Sequence, residues 1–92
     1  MREKKKRCCR FLDDEVTFKP TGIKMKELET TDIEADEFEA IRICDYEGFS
    51  QIEASIRMGI SRGTIQRLLS SGRKKIVDSL LNKKAIVIKN KN

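Results

Sequence analysis

Arg62, Gly63, Thr64, Gln66 and Arg67 form one short run directly after Ser61. Their side chains carry the groups that read the edge of a base pair. Arginine forks onto guanine O6 and N7, glutamine pairs with adenine, and a threonine methyl meets the thymine methyl. To do so they must project from the N-terminal end of one helix that can enter a major groove. Gly63 keeps that end of the helix slim, and Ser61 at the cap, with the helix dipole behind it, suits a phosphate. Arg73, Lys74 and Lys75 lie farther along the same segment. They are expected on the backbone of the duplex, where they add affinity but no sequence information. Such cations can equally be an ordinary solvated helix face. The near absence of acids from this segment favours a polyanion-binding surface.

The elements that must position these residues are legible in spacing. Ile65, Leu68, Leu69, Ile76, Val77, Leu80 and Leu81 recur at helical intervals after Ser61. Gly72 interrupts them and weakens a helix by about 1 kcal/mol against alanine, so it marks either a close helix contact or a break into two helices. Upstream, Ser50 and Glu53 have the spacing of a capping box, and Ile52 and Ile56 lie four apart on one face. Read as twenty positions, Gln51 to Ser70 gives QIEASIRMGISRGTIQRLLS. Ala54 and Ser55 stand where two helices must cross closely, and Gly59 stands where the chain must turn. Ile60, Ile65 and Leu68 stand where the second helix must be fixed against the first. The pattern is that of a helix-turn-helix over residues 51–70. An earlier helix is expected from Asp36, with Asp36 and Glu39 as its capping box, an apolar face of Phe38, Ala40, Ile41, Ile43 and Cys44, and an end at Gly48.

Residues 15–19, EVTFK, alternate as a short strand does, and Pro20 and Gly22 then force a turn. Residues 23–34 read as either a loop or a short strand. Ala85-Ile86-Val87-Ile88 is a strand candidate that can pair with residues 15–19 or with a second copy of the chain. A basic arm occupies residues 1–14, and residues 15–92 form a single domain. The expected fold class is mainly α: a helix-turn-helix domain of sigma-70 region 4 or winged-helix-like type, with short β-strands near both termini.

Charge is segregated along the 92 residues, whose net charge is +5. Residues 27–56 carry ten acids and one base, whereas residues 57–92 carry ten bases and one acid, Asp78. Basic blocks of this size are the footprint of a polyanion partner. The acidic stretch reads first as a solvated face. It is also the candidate surface if the chain is instead a protein-interaction module. Cys8, Cys9 and Cys44 form no CxxC pair and there is no histidine, so no zinc site of ordinary spacing exists. The thiols fit a reducing cytoplasm. No apolar run reaches membrane-spanning length, no secretory signal opens the chain, and no catalytic set or glycine-rich phosphate loop is visible. Neither an enzyme, a cofactor nor a membrane partner is expected.

The stretch ADEFEAIRICDYEGFSQIEASIRMGISRGTIQRLLSSGRKKIVDSLLNKKAIVI, preceded by FKPTGIKMKELE, resembles uncharacterised protein family 0251 over nearly the whole chain. Its helix-turn-helix is in turn similar to region 4 of sigma-70-type factors. The resemblance implies a small, mostly helical DNA-binding protein with a role in transcription regulation. RCCRFLDD departs from the RRVCFxP of many relatives, so no cysteine role is carried over to Cys8 or Cys9. Some longer relatives continue into a domain similar to those that bind iron–molybdenum cofactor clusters. That activity is not carried over to a chain ending at Asn92. The expected partner is double-stranded DNA, read through Ser61, Arg62, Gly63, Thr64, Gln66, Arg67, Arg73, Lys74 and Lys75. A homodimer on two half-sites is expected to suit so small a module. It would be joined through Ala85–Ile88 and the Ile76–Leu81 stripe. The alternatives are docking to RNA polymerase or another transcription protein through residues 27–47, and non-specific nucleic-acid binding, including RNA binding through the arm.

Overall fold

The computed structural model describes residues 15–89. The basic arm, with Cys8 and Cys9, lies outside them. Three helices pack on a small sheet: β1 (Val16–Phe18), β2 (Thr30–Ile33), α1 (Ala35–Ile41), α2 (Gln51–Met58), α3 (Arg62–Asn82) and β3 (Ala85–Ile88). This is the mainly helical class with short strands near both ends that the sequence implies. No helix among the described residues is long and apolar enough to cross a membrane.

The sheet has the order β1-β3-β2. β1 runs antiparallel to β3, with Val16 opposite Ile88, and β2 runs parallel to it, with Ile33 opposite Ile88. The ambiguous residues 23–34 thus resolve into a single 3-10 turn, Met25–Glu27, followed by a strand. Both edges of β3 are occupied. Of the two pairings the sequence leaves open for Ala85–Ile88, the one with residues 15–19 is realised, and with β2 on its other side no edge of this strand is left for a second copy; the β-branched run is the central strand, which is where such residues pack on both faces.

α1 begins two residues earlier than its sequence signature suggests. Glu34, extended at φ −74° and ψ 157°, is the cap, and its N–H donates to Glu37 Oε1 at 2.9 Å. Glu39, the expected box partner, bonds Arg42 instead. The reason is local: β2 ends at Ile33, so a single extended residue suffices to turn the chain into the helix. After Ile41 the helix widens into a π-turn, Arg42–Tyr46, closed by a bond from the Glu47 N–H to the Arg42 carbonyl at 2.9 Å. Gly48 ends it at φ 84°.

Ser50 caps α2, its Oγ accepting from the Glu53 N–H at 3.1 Å. The other half of that box is absent, because the Glu53 carboxylate pairs with Arg57 at 3.0 Å. Ser50→Ala is expected to destabilise the fold by about 1 kcal/mol, read from the urea midpoint at unchanged m-value. Ile52 and Ile56 do share a face, but it points to solvent, with 61% and 68% of their surfaces exposed. The buried face of α2 is Ala54, at the crossing with α3. Ser55 is the mild departure from the alanine usual beside it. Its hydroxyl is satisfied by donating to the Ile52 carbonyl at 2.6 Å. Gly59 makes the turn at φ 69°, a conformation that β-carbon sterics disfavour in other residues.

α3 is one unbroken helix. Gly72 is therefore the mark of a close contact: a β-carbon there would stand 2.6 Å from Ile41 Cδ1 and 3.4 Å from Glu37 Cβ. Two apolar clusters hold the layers together. Ala40, Ile43, Ala54, Ile65 and Leu69 join the helices, with Ile60 and Leu68 packed against them. Ile33 and Ile88 join helices to sheet, with Phe38 and Ile76 alongside. Leu80, Leu81 and Val77, expected in the same stripe as Ile76, are exposed.

Candidate nucleic-acid interface

One side of α3 is committed to the interior by Ile65, Leu69, Gly72 and Ser79. At 100° per residue, the opposite side carries Gly63, Arg67, Ser70 and Lys74 in one line, flanked by Arg62 and Gln66. All six are exposed. The line from Gly63 to Lys74 is about 16 Å long at 1.5 Å per residue. Ser70 was not among the residues singled out from sequence. Its signal was available in the spacing 63-67-70-74, which is that of a single helix face.

The first two turns are tightly organised. Ser61 Oγ accepts from the Thr64 N–H at 3.1 Å and lies 2.9 Å from Thr64 Oγ1. Arg67 Nη2 donates to Thr64 Oγ1 at 3.0 Å. Ser61 is thus the cap expected of it, and Thr64 is half-buried with its hydroxyl held inside this cluster.

Two of the predicted phosphate contacts are engaged elsewhere. Arg73 forks onto Asp45 in the π-turn, with bonds of 3.0 and 2.7 Å. The Asp45 carboxylate raises its pKa against the smaller, opposing effect of burial. Lys75 points inward: its Nζ donates to Glu37 Oε1 at 2.8 Å and to the Asp32 carbonyl at 2.9 Å, tying α3 to α1 and β2. Glu37 also accepts from the Ser71 hydroxyl. Spacing alone could not separate these lysines, because Lys74 and Lys75 are adjacent and only the helix phase sends one out and one in.

The cations of α3 therefore fall into two groups. Arg73 and Lys75 neutralise acids of the preceding segment. Arg62, Arg67 and Lys74, on the outer side, make no salt bridge within the described residues. Much of the acidic stretch is likewise compensated internally, since Arg42 bridges Glu39 and Glu47. What remains is a basic strip with no salt bridge among the described residues, whose first two turns also offer a serine, a glutamine and an arginine fork. Such a strip suits an anionic, hydrogen-bonding polymer.

Comparison with known proteins places the chain among relatives that share this whole region. Residues 1–92 match the family described as protein of unknown function DUF134. A UPF0251 protein of Shewanella halifaxensis is 42% identical over 83 residues, covering 87% of this chain and 86% of the relative. One from Aeromonas salmonicida is 46% identical over 71 residues, covering 77% and 70%. One from Moorella thermoacetica is 45% identical over 76 residues, covering 83% of this chain but only about half, 51%, of the relative. No solved structure matches. On the full-length family match and these identities, the chain belongs to the uncharacterised family known as DUF134 or UPF0251.

Proposed function

We propose that the protein binds double-stranded DNA sequence-specifically, with the N-terminal half of α3 in the major groove, and regulates transcription. One observation carries the reading: the outer side of α3 holds Arg62, Arg67 and Lys74 with no salt bridge among the described residues, while Arg73 and Lys75 are each paired with an acid of the preceding segment. A solvated helix face has no reason to sort its charges in this way. The 16 Å line corresponds to about 5 base pairs at 3.4 Å per step. It stops at Lys74, beyond which the acid Asp78 and the exposed Val77, Leu80 and Leu81 follow. So short a footprint recurs often in any genome, and the reading carries with it occupation of two half-sites by two copies.

The test is selection of random duplexes by the purified protein across salt concentrations. An enriched site, bound less tightly as salt rises, supports the proposal. Absence of binding at low salt refutes it. Lys74→Ala, at the phosphate end of the line, is expected to weaken all duplexes alike and to reduce the slope of log K against log salt by about 0.9. Lys75→Ala is not expected to change that slope, since its ammonium is spent on Glu37 and Asp32.

A second reading, protein docking through the acidic segment, is favoured by Tyr46. It is 83% exposed and borders a hollow of about 440 Å³ lined by Phe38, Ile41, Arg42 and Asp45. Tyr46→Ser separates the two: duplex binding is untouched, and binding to a protein of the transcription machinery is lost if that surface is used.

A further inference from the structure

We propose that Thr64 acts as a positioning residue, holding the Arg67 guanidinium so that Arg67 fixes one guanine of the site. This rests on the reading of α3 as the helix that enters the groove. The sequence suggests a different part for Thr64, its methyl against a thymine. The geometry gives its hydroxyl a part within the protein: Oγ1 accepts from Arg67 Nη2 at 3.0 Å and lies 2.9 Å from Ser61 Oγ, which itself caps the helix by accepting the Thr64 N–H. Three residues spaced three apart, Ser61, Thr64 and Arg67, are thereby joined over nearly two turns into a unit anchored on the helix cap.

The consequence falls on Arg67. A free arginine loses considerable rotamer freedom when it binds, and its value as a guanine reader lies in presenting two N–H groups in a fixed plane. One of the five guanidinium N–H groups is used on Thr64, which leaves four for a ligand. The group lies beside Gly63, where a β-carbon would stand 3.8 Å from Nη1 and 4.0 Å from Ser61 Oγ. A side chain at position 63 would thus only touch this unit, and glycine adds no bulk on that side of the fork. Arg62 and Gln66, on the flank, have no comparable tether among the described hydrogen bonds. Of the candidate readers, Arg67 is the one whose plane is set before DNA arrives, so its base position should show the sharpest preference.

The experiment uses the duplex selected by the wild-type protein and the three other base pairs at each position. Thr64→Val keeps the β-branched shape and the Ser61 cap but removes the hydroxyl. It is expected to leave thermal stability nearly unchanged, to keep the salt dependence, and to lower the preference for guanine at a single position about tenfold. Arg67→Lys is expected to remove the preference at that same position, and Thr64→Ser to restore it. The inference is overturned if Thr64→Val retains the full guanine preference, or if its loss spreads evenly over the site. A wild-type protein that binds no duplex at low salt overturns the DNA reading itself, which is a different outcome.

Discussion

Lys75→Met should lower the unfolding free energy by about 3 kcal/mol, although it replaces a cation with an apolar chain of similar length. The cause is what it leaves behind. Glu37 is 5% exposed, and its carboxylate is held by Lys75, Ser71 and the Glu34 N–H. Breaking a buried pair from one side typically costs about 3–5 kcal/mol because the remaining charge is stranded. The lower end applies because the Lys75 side chain keeps 32% of its surface. For a domain this small the melting temperature should fall by roughly 12–24 °C. Glu37→Met combined with Lys75→Met should recover most of the loss, since a matched apolar pair carries no stranded charge. A double variant no more stable than the single one would show that packing, and not charge, sets the cost.

The same contact gives a pH signature. Burial pushes the Glu37 carboxyl up, but the bonds from Lys75, Ser71 and the Glu34 N–H, with the Lys75 charge, outweigh it and hold the pKa below its ordinary value. A carboxyl lowered in the folded state contributes stability that is present above the unfolded value, about 4.3, and is lost as pH falls through the folded value. The gap between wild type and Lys75→Met should therefore be widest near neutrality and shrink as pH falls below the unfolded value and through the lowered folded one. Equilibrium urea unfolding at a series of pH values reads this directly. A gap independent of pH would place the effect outside the ion pair.

The helix-turn-helix was legible in the sequence because each of its positions answers to local sterics. Ala54 at the crossing, Gly59 at φ 69° and Ser61 at the cap need no knowledge of the rest of the chain. The sheet was only half legible. The outer strands are three or four residues long, and β2 was ambiguous because nothing local distinguishes Thr30–Ile33 from a loop until β3 is there to pair with it. Ile52 and Ile56 show the limit of periodicity: spacing places them on one helix face but does not say whether that face meets protein or water. The candidate site divides along the same line. The first-turn residues follow from the motif, whereas the roles of Arg73 and Lys75 depend on Asp45, Glu37 and Asp32, 28 to 43 residues away in sequence.

Replacing Arg62 and Arg67 together with alanine should abolish sequence preference while leaving a folded protein that still binds duplex weakly. Neither side chain supports the core: both are exposed, neither makes a salt bridge within the described residues, and alanine is a better helix former than arginine. The melting temperature should therefore move by no more than a few degrees. A good bidentate contact discriminates by about 1–3 kcal/mol, so removing two costs on the order of 100-fold or more in the ratio of specific to random duplex affinity. Residual binding through Lys74 should keep its salt dependence, with a smaller slope. The contrast with Lys74→Ala is the informative part. That variant weakens all sequences alike, whereas the arginine pair erases the difference between them. If the double variant kept the wild-type site preference, the basic strip of α3 would serve only to hold the backbone, and the specificity of the protein would have to lie on another surface.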